Sequence, residues 1–451
     1  MRYGRRCRSL VLLLCLPGIV MSARAEDLLS LYRAALSGSP ALRVRELGAE
    51  RARADADVAR SRLLPQVSVQ TSTSRNDYSN ALGDLRFNGN RTIWSARQAL
   101  LDMPSLYRLQ GATAAITQAD REAEQARADL FGQLVEQYLN ALQAQDELMQ
   151  LQVEQEAAER QVERLRAMRE REMAKVTDLA EAISWARQLA TREIDARNKA
   201  DAARVRLREL IGRDTGELAT LGKQSFPAVP GSEAYWVNTV LAANALIASK
   251  QAAVDAGRLA TDAARAEHLP QLSLSLQRNE SNQDIDNSPR SKFSVDSVSV
   301  ELRIPLYEGG RVSASTASAQ TQLAIANEQL EAVRREVERD TRLLFASALA
   351  DRARIDSTDA EVDALTYTVK AQQRGYELGV VTVIHVLDAR RRLLRSRVDQ
   401  AKARYDYLRD LIGLKLRAGL TEADVADFNR WLAPQDVSGS FTDMVEQLSA
   451  Q

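Results

Sequence analysis

The chain has 451 residues, with 61 basic and 61 acidic side chains, and only two histidines and two cysteines. Balanced charge offers no broad footprint for nucleic acid. Beyond the N-terminal segment no continuous apolar run reaches the roughly 18 residues a transmembrane helix needs, so any membrane-spanning part must be a barrel.

Arg2, Arg5, Arg6 and Arg8 form a basic front ahead of a short apolar core, Leu10 to Val20. Ala23-Arg24-Ala25 then fits a small-x-small cleavage site. Residues 1–25 are predicted to be a secretory signal peptide, with the mature chain starting at Glu26. Leu14 is too large to precede a lipidated cysteine, so Cys15 is assigned to the discarded peptide. Cys7 goes with it, and no disulfide, thiol nucleophile or thiolate metal ligand is expected. Loss of the peptide's arginines leaves the mature chain mildly acidic.

A first repeat, residues 26–213, carries short helices, a strand pair within about 66–101 and a helical hairpin over about 105–212. Its strands are predicted at about Gln66–Arg75 and Thr92–Leu101, joined by a polar loop at Asn76–Asn90. A linker rich in glycine and proline, 214–232, leads to a second repeat, 233–417. There the strands, within 271–304, are about Gln271–Arg278 and Ser297–Ile304, around a loop at Glu280–Ser291. The second hairpin covers about 311–413, and residues 418–451 form a C-terminal segment with a polar tail.

The duplication is legible in fragments. Leu64-Pro65-Gln66 is echoed by Leu269-Pro270-Gln271, Val176-Thr177 by Val381-Thr382, and Leu210-Ile211-Gly212 by Leu411-Ile412-Gly413. An offset of about 200 residues is a doubled domain, not a solenoid period. In the third strand Leu272, Leu274 and Leu276 share one face and Ser273, Ser275 and Gln277 the other. In the fourth, Val298, Val300, Leu302 and Ile304 oppose Ser299, Glu301 and Arg303. Such alternation gives one apolar and one polar face.

No proline falls between Pro104 and Pro227, or between Pro305 and Pro434. Proline costs about 3 kcal/mol inside a helix, so these stretches permit long ones. Phe131, Val135, Tyr138, Leu142 and Met149 trace one coiled-coil seam, and Leu323, Leu330, Val337 and Leu344 another. Breaks at Arg169–Val176 and Gly375–Gly379 fold each region into a hairpin. The ascending helices, about Ser105–Met168 and Arg311–Arg374, would each be roughly 100 Å long.

Four strands cannot close a barrel, whose smallest membrane forms use about eight. An open sheet edge is not tolerated in lipid. If these strands enter a membrane, chains must therefore share one barrel, and three would supply about twelve strands.

Taken together, these features resemble the TolC family of outer-membrane channel proteins, over essentially the whole mature chain. The resemblance rests on Asp27-Leu28-Leu29-Ser30-Leu31-Tyr32-Arg33-Ala34-Ala35 with Pro40, and on both Leu-Pro-Gln entries to the strand pairs. It rests also on Ile304-Pro305-Leu306-Tyr307-Glu308-Gly309-Gly310, Gly375-Tyr376-Glu377-Leu378-Gly379 and Val386-Leu387-Asp388-Ala389. It implies a mainly α fold with a small β part: four transmembrane strands per protomer, continuous with α-helical hairpins that form a periplasmic tunnel. It further implies a homotrimer in outer-membrane lipid, gated at the helical tips. Its partners would be a periplasmic adaptor and an inner-membrane transporter, in efflux or type I secretion.

In the family a tyrosine and an arginine of the second hairpin bond an aspartate of the first, and acidic rings narrow the pore. The tyrosine matches Tyr376, the aspartate Asp178 and the deeper acidic ring Asp388. Val381 replaces the arginine, and His385 stands where the other acidic ring would be. His385 and Asp388 are three residues apart on one helix face, and an unperturbed imidazole titrates near pH 6.5. A pH-sensitive constriction is the expectation. An inter-hairpin hydrogen bond is expected between Tyr376 and Asp178. Glu172 and Gly379 mark the two tip turns and candidate adaptor contacts, with Glu172 in place of a family glycine.

No catalytic, metal or cofactor constellation is predicted, because His268 and His385 lie in different contexts and no phosphate-binding glycine loop occurs. The alternative reading is a periplasmic coiled-coil structural or adaptor protein without a barrel.

Overall fold

The computed structural model describes residues 28–80, 83–218, 220–221, 226, 228–284, 287–419 and 432–433. The predicted signal peptide and most of the C-terminal segment lie outside the described residues. The first repeat holds α1 (Leu28–Gly38), α2 (Pro40–Ser61), β1 (Gln66–Asn80), β2 (Gly83–Leu101), α3 (Met103–Glu170) and α4 (Val176–Ile211). A short β3 (Thr220–Leu221) follows, then α5 (Glu233–Ala243), α6 (Ala245–Ala266), β4 (Gln271–Gln283), β5 (Pro289–Arg303), α7 (Arg311–Glu377), α8 (Val383–Arg417) and β6 (Leu432–Ala433).

The strands form one antiparallel sheet in the order β1-β2-β4-β5, so the β2–β4 pairing fuses the two repeats. Alternation fixes its faces. Val67 stands opposite Ala96, Val69 opposite Trp94, Leu276 opposite Val298 and Leu274 opposite Val300. The apolar face is open to the surroundings: Val67 and Val298 are each 73% exposed. Ser68 and Ser95 bond across the other face at 2.8 Å, and Arg97 reaches Glu301 at 3.3 Å.

The strands outrun the predicted ones. Most of the expected loops Asn76–Asn90 and Glu280–Ser291 is paired ladder. Polar side chains support that ribbon, as in Thr73 to Asn90 at 3.0 Å and Arg86 to Asp77 at 3.0 Å. A ladder needs paired backbone groups, not apolar residues, and so extends past the apolar band.

The two longest helices start where the strands stop. Asp102 caps α3 by accepting from the Ser105 amide at 3.0 Å, with Pro104 in the first turn, where its missing amide costs nothing. Gly310, at φ 82°, turns the chain into α7. α3 has 68 residues and α7 has 67, about 100 Å each.

A simple hairpin describes only the half of each long helix away from the sheet. There α4 lies against α3 and α8 against α7. In the sheet-proximal half α3 packs instead on α2 and α6, and α7 on α6. Arg53–Asp120 at 2.6 Å, Arg127–Glu46 at 2.9 Å and Arg108–Glu267 at 2.7 Å trim that contact. The short helices thus continue the line of the returning ones. At the first such junction α4 ends on Gly212, at φ 72°, beside Gly38 at the end of α1. At the second, Asn244 caps α6 and reaches the Arg417 carbonyl at the end of α8 at 3.5 Å. The largest core surrounds these junctions, with Leu31, Tyr138, Leu207, Tyr407 and Leu408 buried. The predicted seams contribute Phe131, Val135, Tyr138 and Leu142 to it, while Leu330 and Val337 form a smaller cluster with Val240 and Val254. No described helix is long and apolar enough to cross a membrane.

A Cβ at Gly38 would lie 2.9 Å from the Ile211 carbonyl oxygen, a backbone atom that cannot swing aside. Gly38→Val is expected to cost about 1–3 kcal/mol through overpacking. The check is the thermal midpoint, against Gly48→Val, where a Cβ would meet nothing within 4 Å.

Candidate functional site

The expected gate residues gather at the end of the helices farthest from the sheet. Both tips are built as one motif. At the first, Met173 donates to the Met168 carbonyl at 2.8 Å and Glu172 to Arg169 at 2.9 Å. At the second, Val380 donates to Gly375 at 2.8 Å and Gly379 to Tyr376 at 3.0 Å. Both are Schellman caps, which place one left-handed residue after the helix. Gly379 takes φ 73°, and Glu172 takes φ 57° without glycine's freedom.

The motif fixes the register between repeats. Glu172 corresponds to Gly379, and the start of α4 at Val176 to the start of α8 at Val383. The spacing is 207 residues (379 less 172). The Val176-Thr177 and Val381-Thr382 echo, two residues shorter, is therefore not a structural equivalence. In the structural register Asp178 corresponds to His385, and Glu181 to Asp388.

Tyr376 packs against the apolar cluster that α3 and α4 form with α8. Burial and the nearby Asp178 carboxylate push its phenol above the ordinary value, and Arg164 partly opposes them. The phenol therefore stays protonated at neutral pH. Among the described residues no hydrogen bond joins Tyr376 to Asp178; their relation is electrostatic within one chain. Val381, in place of an arginine, packs its Cγ2 methyl toward Gly375, where a Cβ would lie only 3.1 Å away. His385 is exposed one turn before Asp388 on α8.

Asp388 is not solitary. Arg391, one turn further along α8, donates to Asp388 at 3.1 Å and to Glu181 of α4 at 3.2 Å. Its guanidinium lies 4.9 Å from the centre of the buried Trp185 ring. Arg390 reaches Glu154 of α3 at 3.5 Å. Burial pushes that carboxyl up, against the pull of Arg390 and Arg397. Sequence reasoning missed Arg391, Glu181 and Trp185. The one signal in the chain was the i,i+3 spacing of Asp388 and Arg391.

A second group of perturbed acids lies nearer the helix junctions. Tyr405 of α8 donates to Asp146 of α3, whose carboxyl burial raises and this bond partly lowers. Asp410 is raised to about 6 by burial and by the like charges of Asp351 and Asp406, against Arg409. Arg409 is held by Asp406 at 2.5 Å and by Asn140 of α3 at 2.9 Å.

With the sheet, the doubled helices and the tips described, comparison with known proteins is direct. A family model for outer membrane efflux proteins matches residues 31–213 and again 236–420, once per repeat. The chain belongs to the outer membrane efflux protein family. It is 27% identical to the alkaline protease secretion protein AprF of Pseudomonas aeruginosa over 419 residues, 89% of this chain and 86% of that one. It is 28% identical to the outer membrane protein TolC of Vibrio cholerae over 419 residues, 90% of this chain and 94% of that one. The fold matches the crystal structure of the Campylobacter jejuni CmeC outer membrane channel with a TM-score of 0.78. That match has 18% identity and covers 92% of this chain and 90% of that one. The efflux protein is thus a TolC-like channel protein of the Gram-negative outer membrane.

Two outcomes are expected. Glu172→Gly removes a left-handed side-chain residue and stabilises the first tip by about 1 kcal/mol, read as slower hydrogen exchange at the tip amides. Gly379→Ala loosens the second tip in the same assay. For Asp410 the raised value means that the folded state holds the proton more tightly than the unfolded one. Its stabilisation is full below about pH 4 and is lost as pH rises through about 6. Asp410→Asn should therefore melt higher than the parent above pH 6. The gain is about 1 kcal/mol, because solvent screens a half-buried carboxylate, and it vanishes near pH 4.

Proposed function

We propose that the chain is one third of a homotrimeric exit duct, gated at its tips and docked to a periplasmic adaptor and an inner-membrane transporter. One observation carries the trimer. The four-stranded sheet exposes an apolar face and leaves β1 and β5 each with an unpaired edge. Unpaired backbone groups cost several kcal/mol each in hydrocarbon, and a barrel needs at least about eight strands. Three sheets joined β1 to β5 supply about twelve and remove every edge. The helices then line one bore, in which the sixfold pseudosymmetry comes from three doubled chains.

In that assembly the tips form the constriction. Asp178 and His385 share one level, and Glu181 and Asp388 the next. Tyr376 ties the second hairpin to the first, and protonation of His385 lowers cation preference. The turns at Glu172 and Gly379 are the surfaces offered to the adaptor. The name of AprF, an alkaline protease secretion protein, supports secretion as the task, and the outer membrane efflux family supports efflux. A passive bore leaves that choice to the transporter.

Fractionation of the expressed chain tests the assembly. A heat-modifiable trimer in outer membranes is expected. A water-soluble periplasmic monomer with protected strands would overturn it in favour of an adaptor or structural protein. Planar-bilayer selectivity at pH 5.5 and 7.5 tests His385. The pH difference should shrink in His385→Ala, and equal pH dependence in both channels rules out its part.

A further inference from the structure

We infer that Arg391 sets the charge selectivity of the constriction, acting as a fixed counter-cation shared by two carboxylates that the duplication made equivalent. The inference rests on the exit-duct reading, which turns the tips toward a common axis.

The tip register makes Glu181 of α4 and Asp388 of α8 the same position in the two repeats. Left alone, each protomer would place two negative charges at this level. Arg391 bonds both, at 3.2 Å to Glu181 and 3.1 Å to Asp388. The position equivalent to Arg391 in the first repeat is Ser184, so the cation has no duplicate. Arg391 therefore offsets one of these two negative charges in each protomer, and Arg392 donates to the Asp388 carbonyl at 3.4 Å from the next position. Its pairs are only partly covered: Arg391 is 32% exposed, Glu181 38% and Asp388 49%. Such charges act on ions in a narrow aqueous bore, where low-dielectric walls focus the field.

The guanidinium is held in place from a second direction. Trp185 is 1% exposed and offers its ring at 4.9 Å. An arginine that lies over indole and bonds one acid through each terminal nitrogen keeps one geometry, which a lysine point charge does not match. The ring is anchored in the core that joins α3, α4 and α8 through Leu165, Leu189 and Leu387. Arg391 thereby spans the two hairpins within one chain, without the tyrosine partner or the arginine that Val381 replaces.

Zero-current potentials in a potassium chloride gradient at pH 7.5 test the assignment. Arg391→Gln is expected to raise the cation-to-anion permeability ratio about twofold or more. Glu181→Gln should shift it the other way, and the double variant should return it toward the parent. Arg391→Lys, which keeps the charge, should stay near the parent ratio. If Arg391→Gln does not assemble, Glu181→Gln and Arg391→Lys decide the matter alone. Conducting channels whose potentials are unchanged in Arg391→Gln or in Glu181→Gln overturn the inference and leave the duct reading intact. A parent chain that forms no conducting pore overturns the duct reading itself.

Discussion

Every amide and carbonyl placed in hydrocarbon must find a partner, and this constraint organises the molecule. The chain's sheet satisfies its interior strands and leaves two edges. It is also amphipathic in the sense that suits a bilayer, with valines and leucines outward and serines and a charged pair on the opposite face. A soluble protein would cover the apolar face with a helix. Here the helices instead leave the sheet end-on, α3 directly after β2 and α7 shortly after β5. In the proposed trimer, strand closure and helix direction are therefore one problem, because a barrel that seals the edges would also aim the helices down a common axis.

Duplication explains how helices of about 100 Å remain packed along their length. α3 and α7 are continuous, while their neighbours are made of two pieces each. The break between pieces needs backbones to approach closely, and Gly38 meets Gly212 there. Burial is concentrated at the same height, where Tyr138, Tyr405, Tyr407 and the leucines around them are closed off from solvent. That height is the most extensively buried belt among the described residues.

How much of this could be read from the residues differs by element. Alternating valine, leucine and serine gave the faces of β4 and β5 without ambiguity. Strand length did not follow, because the outer ribbon is held by serine, threonine and asparagine, which a residue-by-residue reading assigns to loops. The absence of proline announced α3 and α7, and Asp102 with Pro104 marks a helix start by its chemistry. The partners of their sheet-proximal halves stayed hidden, since an alanine-rich helix such as α6 gives no address for its contacts. Only a charge cluster and the family resemblance marked the first tip, because Glu172 holds the left-handed position that glycine normally signs. The clamp at Arg391 was illegible for another reason: its partner Glu181 lies 210 positions away, and only the register of the tips brings them together.

Below that belt the second hairpin is joined to the first mainly through α8. The tip cluster draws its buried residues from α3, α4 and α8, and none from α7. Among the described residues α7 reaches that cluster through Tyr376 alone. The far half of α7 packs chiefly on α8. α8 in turn is fastened across the hairpins by Leu387, Leu394 and the polar contacts of Arg390 and Arg391. Partly exposed ion pairs contribute little each, about 0–1 kcal/mol, whereas the buried leucines contribute more. Separation of the second hairpin from the first must then break both an apolar seam and a set of weak charge pairs.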